Sequence, residues 1–200
     1  MTWENISLKQ YVEIYNIIID NDIPQDEKLV MVTQLLYGVD IINKPITEVQ
    51  RYFKLVGDLL TTEPKKLPLK DKYVINDTTY ILDRNIEKIS TAQFIDYSNC
   101  TKEISINNYN EFLSIFLIPQ GHKYNDGYDI RKTQTDIDNY LSIEEALGIA
   151  DFFLTYSMHS LKIFRKYLVW EIVKNKNLTW KEKKQLIKQI NQIGDYYQFY

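Results

Sequence analysis

Residues 142–172 read SIEEALGIADFFLTYSMHSLKIFRKYLVWEI and decide the fold class. The stretch opens on Ser142 with Glu145 three residues later, a pairing in which the two side chains cap exposed backbone N–H groups of a first helical turn. After it, small and apolar side chains recur at the spacing of one helix face. They are Ala146, Ala150, Phe153, Ser157, Leu161, Phe164, Leu168 and Ile172. This pattern predicts one helix of about thirty residues, on the order of 45 Å long if unbroken.

The same capping pattern marks other helix starts along the chain. It recurs at Ser7-Leu8-Lys9-Gln10, Thr47-Glu48-Val49-Gln50, Ser90-Thr91-Ala92-Gln93 and Thr179-Trp180-Lys181-Glu182. The spacing of apolar residues gives the extent of these helices, and Gly38 is expected to end the second one. Besides the long helix, we predict helices at Ser7–Ile19, Gln25–Tyr37, Ile46–Leu60, Ala92–Cys100, Asn108–Leu117 and Thr179–Ile193.

Between the third and fourth of these helices the pattern changes. Prolines and lysines in Glu63-Pro64-Lys65-Lys66-Leu67-Pro68 cannot continue a buried helix and predict a linker. Tyr73–Ile75 and Thr79–Leu82 flank Asn76-Asp77-Thr78 and predict a small β-hairpin, which is marginal alone and has to lean on helices or on a partner. The predicted fold is therefore mainly α and bundle-like. It has an N-terminal helical unit at 1–62, a linker at 63–71, and the β-hairpin plus a C-terminal helical unit at 72–200.

The stretch from Pro119 to Tyr140 is rich in Gly, Asn, Asp and Tyr and shows no periodicity. It predicts a loop of about twenty residues, well above the usual connection length. Within it, Asn125–Asp129 is interpreted as a turn and not as a calcium loop. The acids Asp136 and Asp138 are expected to be solvated.

Composition bounds the class of protein. The chain has 200 residues, a formal net charge of −3 and one cysteine, Cys100, which fits a reducing cytoplasm. The net charge argues against a dedicated nucleic-acid binder. No secretory signal and no apolar run of membrane-spanning length is present in the sequence, so we expect no membrane association.

The residue types present also limit which metal-binding, phosphate-binding and catalytic sites the chain could form. With two histidines and one cysteine, the chain offers no set of zinc ligands. Its six glycines are scattered singly, so no phosphate-binding glycine loop is present. No nucleophile motif is found. We therefore predict no catalytic residue, no metal, no cofactor and no enzymatic activity.

Charge is distributed in two neighbouring blocks of opposite sign. Residues 125–151 hold seven acids against two bases, and residues 162–188 hold nine bases against two acids. One hypothesis is that the acidic block of one copy meets the basic block of the next in a ring. The basic block has two other interpretations, a nucleic-acid contact and a solvated helix face. The candidate interface residues are Tyr124, Asp126, Tyr128, Asp129, Lys162, Arg165, Lys166, Lys181 and Lys184.

The segment FLIPQGHKYNDGYD at residues 116–129 resembles proteins of tailed bacteriophages of Bacteroidetes, including crAss-like phages. The segments ISLKQY at 6–11, TAQFID at 91–96 and LSIEEA at 141–146 add to this resemblance. Such proteins are encoded among virion and tail genes.

The resemblance implies a virion component, such as a head–tail connector or tail ring subunit, that is made in the bacterial host cytoplasm. Its partners would be other phage structural proteins and further copies of itself, and neighbours would keep the long loop ordered. A tail assembly chaperone that leaves the particle is the alternative within this family. A small DNA-associated protein that uses the basic C-terminal helices is the alternative outside it.

Overall fold

The computed structural model describes residues 1–85, 88–175 and 178–195, with backbone alone at 157–168 and 189–195. Helices dominate, and three strands form one small antiparallel sheet, which confirms the predicted mainly-α class with a hairpin. The helices are α1 (Leu8–Ile19), α2 (Gln25–Tyr37), α3 (Ile46–Leu60), α4 (Thr91–Cys100), α5 (Tyr109–Ser114), α6 (Ile130–Tyr140), α7 (Ile143–Lys174) and α8 (Trp180–Asp195). The strands are β1 (Lys72–Ile75), β2 (Thr78–Leu82) and β3 (Leu117–Pro119).

Local capping chemistry defines the N-terminal helices. The Ser7 hydroxyl accepts the Gln10 N–H, and the Gln10 side chain accepts the Ser7 N–H, so the predicted capping box opens α1. Gly38 adopts a left-handed φ of 63° and ends α2, as predicted. The cap predicted at Thr47 is wrong, because α3 begins at Ile46 directly after Pro45. Proline suits this position because its fixed φ matches the start of a helix.

The β-hairpin turns on Asn76 and Asp77, whose φ angles of 47° and 59° are both left-handed. Two successive residues of this kind match the twist of the flanking strands. β3 then pairs with β2, so the hairpin is the larger part of a three-stranded sheet in the order β1-β2-β3. Tyr73, Ile75 and Tyr80 are buried on one face of this sheet, and α6 packs against it. The hairpin is therefore packed against α6 and β3 of its own chain.

The loop predicted at 119–140 is wrong over half its length. β3 ends at Pro119, residues 120–129 form the actual loop, and α6 follows at Ile130–Tyr140. Helix α6 was missed because Thr133 and Asp136 share its buried face with Ile137, and polar residues there erase the apolar periodicity. The helix predicted at 108–117 is also too long, since α5 ends at Ser114.

The chain entering α1 pairs with the chain between α6 and α7. Leu8 N–H donates to Leu141 O at 2.9 Å, and Ile143 N–H donates to Ile6 O at 2.9 Å. Nearby, the Trp3 indole N–H donates to Thr62 O at 2.9 Å and ties the N-terminus to the end of α3. These contacts join the first three helices to the start of α7.

The segment 63–71, predicted to be a linker, lies along the first turns of α7. The Lys65 N–H donates to Glu144 Oε1 at 2.8 Å, and the Leu67 N–H donates to Glu144 O at 3.1 Å. Lys70 Nζ donates to Glu145 Oε1 at 2.6 Å. At Gly148 the two backbones come so close that a Cβ there would lie 2.2 Å from Leu67 O. Glycine is thus required at this crossing.

Two compact units divide the chain, Met1–Ala150 and Asp151–Tyr200, here called unit 1 and unit 2. The three N-terminal helices, the segment 63–71 and the sheet all lie in unit 1. Helix α7 begins in unit 1 and continues as one helix to Lys174, which confirms the long helix predicted from residues 142–172. None of the described helices has both the length and the apolar character needed to cross a membrane.

Candidate functional site

The loop 120–129 contains four of the predicted interface residues, and contacts within unit 1 hold it. The Gln120 N–H donates to Thr79 O at 2.8 Å and continues the sheet for one more hydrogen bond. The His122 ring lies 3.1 Å from Asp126 O through Nδ1 and packs edge-on against the Tyr128 ring at 5.8 Å. Contacts within its own chain therefore hold the loop in place.

Tyr124 is the strongest anchor of this loop. It is half-buried, and its hydroxyl donates to Asp96 Oδ2 at 2.7 Å, which links the loop to α4. Burial and the hydrogen bond to the Asp96 carboxylate both raise the pKa of Tyr124 above its usual value of 10.0. The hydroxyl therefore stays protonated and keeps donating across the physiological range.

We expect the substitution Tyr124→Phe to lower the free energy of unfolding of unit 1 by about 1 kcal/mol, because one hydrogen bond to a carboxylate is lost. The backbone amides of residues 120–129 should exchange faster with deuterium, since the loop loses its anchor on α4. The exposed Tyr140 supplies the control, because Tyr140→Phe should leave exchange in the loop unchanged. Equal exchange in wild type and Tyr124→Phe would show that the loop is held elsewhere.

The acids of residues 125–151 are mostly bound within the chain. Asp129 caps α6 by accepting the Arg131 N–H. The others engaged in this way are Asp136, Asp138, Glu144 and Glu145, whose partners include Lys132, Asn110, Lys65 and Lys70 respectively. Of these acids, Asp136 and Glu145 pair with lysine ammonium groups, those of Lys132 and Lys70.

Asp136 forms the centre of a polar cluster that the sequence did not reveal. Its side chain is buried beneath the hairpin and accepts hydrogen bonds from Asn76 Nδ2 at 2.9 Å and from the Tyr80 hydroxyl at 2.8 Å. Lys132 Nζ pairs with the same carboxylate from one helical turn earlier. The expectation that Asp136 is solvated is therefore wrong. Its spacing from Thr133 and Ile137, on one face of a helix, was the available signal.

The charge state of this cluster follows from its contacts. Burial alone would raise the pKa of Asp136, but the hydrogen bonds from Lys132, Asn76 and Tyr80 outweigh it and hold that pKa below 3.8. Burial, together with the bond to Asp136, raises the pKa of Tyr80 to about 12. An ionised carboxylate and a neutral phenol thus face each other at neutral pH, an arrangement that links the hairpin to α6.

The basic candidates lie in unit 2. Lys181 and Lys184 are exposed on α8. The side chains of Lys162, Arg165 and Lys166 fall outside the described residues. Where α7 meets α8, the Thr179 N–H and hydroxyl both donate to Glu182 Oε2 at 2.7 Å, so the predicted cap at Thr179 is present.

Large exposed apolar side chains accompany these lysines. Trp170, Val173 and Trp180 are 51%, 51% and 76% exposed. Lys174 Nζ lies 3.3 Å from the centroid of the Trp170 ring, a cation–π contact. Beside them, an open cleft of about 320 Å³ is lined by Glu171, Ile172, Lys174, Asn175 and Leu178.

A second exposed surface, where α1 ends and α2 begins, was not predicted as an interaction site. Ile18 and Ile19 are 43% and 51% exposed there. The acids that follow them are also exposed, namely Asp20, Asp22, Asp26 and Glu27. The signal available in the sequence was an apolar stripe of α1 that continues into a turn rich in acids.

Within the described residues, no group of three or more His, Cys, Asp or Glu side chains is placed to hold a metal ion. Comparison of the chain with protein-family models, with curated proteins and with solved structures finds no match.

Proposed function

We propose that this protein is a non-enzymatic component of a tailed-bacteriophage virion, a head–tail connector or tail ring subunit that acts through protein–protein contacts. The observation that carries the proposal is the exposed Trp170, Val173 and Trp180 beside the lysines of α8. Tryptophan is enriched among the residues that contribute most to protein–protein binding, and large exposed apolar side chains mark interaction sites.

The phage resemblance supports the same proposal through the positions of its segments. The ISLKQY and LSIEEA segments meet where Ile143 N–H donates to Ile6 O. The TAQFID segment meets the loop where Tyr124 donates to Asp96. These motifs therefore build the frame of unit 1, so the resemblance concerns architecture and transfers no catalytic residue.

This proposal has two alternatives, one within the phage family and one outside it. A tail assembly chaperone would use the same exposed surfaces for a transient partner. A small DNA-associated protein would use Lys181, Lys184 and Lys188, which are exposed on α8 next to Trp180. Exposed lysines beside a tryptophan suit phosphate contact and base stacking as well as a protein surface.

Quantitative mass spectrometry of gradient-purified phage particles tests the proposal. A virion component should be present at a fixed copy number that matches the symmetry of a ring, and it should stay with the particles in high salt. A chaperone would be found with assembly intermediates and be absent from mature particles, which would overturn the virion assignment. A DNA-associated protein would instead bind duplex DNA with an affinity that falls steeply with salt.

A further inference from the structure

The surface where α7 meets α8, residues 170–175 and 178–184, is here called the junction surface. It combines Trp170, Val173 and Trp180, all at least half exposed, with lysine side chains. Lys183 Nζ donates to Val173 O at 2.8 Å, so one lysine closes the end of α7 and fixes the start of α8 against it. This hydrogen bond connects the two helices that carry the exposed apolar side chains. Burying them against a partner would remove a substantial apolar area from water.

The surface where α1 meets α2, residues 18–28, is here called the acidic end. Ile18 and Ile19 are exposed on it. The Asp22 N–H donates to Asp20 Oδ1 at 2.9 Å, and Lys28 Nζ donates to Ile18 O at 2.7 Å, so the turn has a defined geometry. The acidic end therefore also exposes apolar side chains on a hydrogen-bonded turn, next to acidic residues.

The two surfaces have opposite charge. Residues 18–28 contain four acids and one lysine, whereas the described residues 170–175 and 178–184 contain four lysines and two glutamates, which gives formal charges of −3 and +2. Each surface thus offers apolar side chains together with the charge that the other needs.

We propose that the acidic end of one copy docks on the junction surface of a second copy. The contact rests on the proposed function as an assembly subunit and names its partner, another copy of this chain. Because the two surfaces are different, the contact is heterologous and repeats from copy to copy, closing into a ring or extending as an open chain. In this proposal the basic junction surface contacts acidic residues of α1 and α2, and not those of residues 125–151.

Sedimentation velocity of the purified full-length chain tests this contact. Species larger than the monomer should form at low ionic strength, and the association should weaken at least tenfold as salt is raised, because the charges are screened. The double substitution Asp22→Lys with Asp26→Lys should leave a monomer under conditions where wild type associates. Asp58→Lys with Glu103→Lys changes the charge equally at exposed sites elsewhere in unit 1 and should associate like wild type.

Mixing two variants gives the sharpest test. A chain with Asp22→Lys and Asp26→Lys keeps its junction surface, and a chain with Lys181→Glu and Lys184→Glu keeps its acidic end. Each should be monomeric alone, because its altered surface repels the intact one. In the mixture the intact junction surface of the first variant meets the intact acidic end of the second, so association should return. Circular dichroism of each variant should match wild type, since all four side chains are exposed.

A chain that is monomeric at every salt concentration would overturn the proposed contact, and so would variants that associate like wild type. These outcomes are separate from those for the proposed function. A monomeric chain found at fixed copy number in particles would refute this contact alone, whereas a self-associating chain absent from particles would refute the virion role alone.

Discussion

Replacing Gly148 with alanine is expected to lower the free energy of unfolding of unit 1 by about 3 kcal/mol or more, the upper range for forcing extra atoms into a packed site. The added Cβ would lie 2.2 Å from Leu67 O and 3.2 Å from the carbon of the same carbonyl. Both obstacles are backbone, so no side-chain rotation relieves the clash. The segment 63–71 would have to lift from α7, which breaks the hydrogen bonds that Lys65 and Leu67 make to Glu144.

Gly57 provides a matched control for this substitution. It lies inside α3, and a Cβ there would meet nothing within 4 Å. Gly57→Ala should therefore stabilise the protein by up to about 1 kcal/mol, the difference in helix propensity between the two residues. Urea unfolding followed by circular dichroism measures both variants. If the two substitutions had the same sign, the close approach of Leu67 to α7 would not exist in solution.

The role of Gly148 was beyond sequence reasoning because it depends on a distant segment. In the sequence it is one glycine within a helical pattern, and helix propensity alone would favour alanine there. The pattern did predict the helix around it, since capping at Ser142 and the apolar stripe are local features. What passes over a helix face is set by the path of the whole chain.

Dependence on distant parts of the chain also explains why α6 and β3 were not predicted from the sequence. Helix α6 buries Thr133 and Asp136, whose polar side chains are stabilised by partners such as Asn76 and Tyr80 on the hairpin. Their burial is favourable only because those partners are in place, so a pattern of hydrophobicity cannot show it. β3 is three residues long and is defined by its pairing with β2. The hairpin was predictable because its turn and both strands are contiguous in sequence.

The candidate interaction surfaces show a related limit. A run of acids in sequence predicts an acidic patch only if the side chains face outward together. Glu144 and Glu145 instead bind the segment 63–71, and Asp136 is buried. The acids at 20–27 are fewer, but all four are exposed, in the turn after α1 and the first turn of α2. Counting charge along a chain therefore does not show which acids of unit 1 are exposed.

Asp136→Ala is expected to destabilise unit 1 by about 3 kcal/mol, the upper end of the cost of leaving a buried donor without its acceptor. The buried Tyr80 hydroxyl would lose the carboxylate that it donates to, whereas the exposed Asn76 amide can turn to water. Lys132 adds less to the cost, because its side chain is 57% exposed and water replaces the lost partner. Tyr80→Phe should cost little when it is added to Asp136→Ala, since its donor no longer has an acceptor to lose.

Asp138 is the matched control, two residues away on the same helix. Burial raises its pKa, which means that the folded state disfavours the ionised form at this position. Asp138→Asn should therefore change the free energy of unfolding by less than about 0.5 kcal/mol or increase it slightly, because an amide oxygen can still accept from Asn110. Equal losses for Asp136→Asn and Asp138→Asn would mean that the ionised carboxylate of the polar cluster has no special role.

The pH dependence of the free energy of unfolding distinguishes the contribution of the Asp136 charge from that of its packing. Because its folded-state pKa lies below 3.8, the folded state binds the proton more weakly than the unfolded chain does. The stabilisation by the carboxylate is therefore fully present above the unfolded pKa and is lost as the pH falls through the folded one. Urea unfolding at a series of pH values should show the wild type and Asp136→Asn converging in stability below pH 3.8. A gap that stays constant through this range would assign the effect to packing, and the link between hairpin and α6 would not depend on the ionised carboxylate.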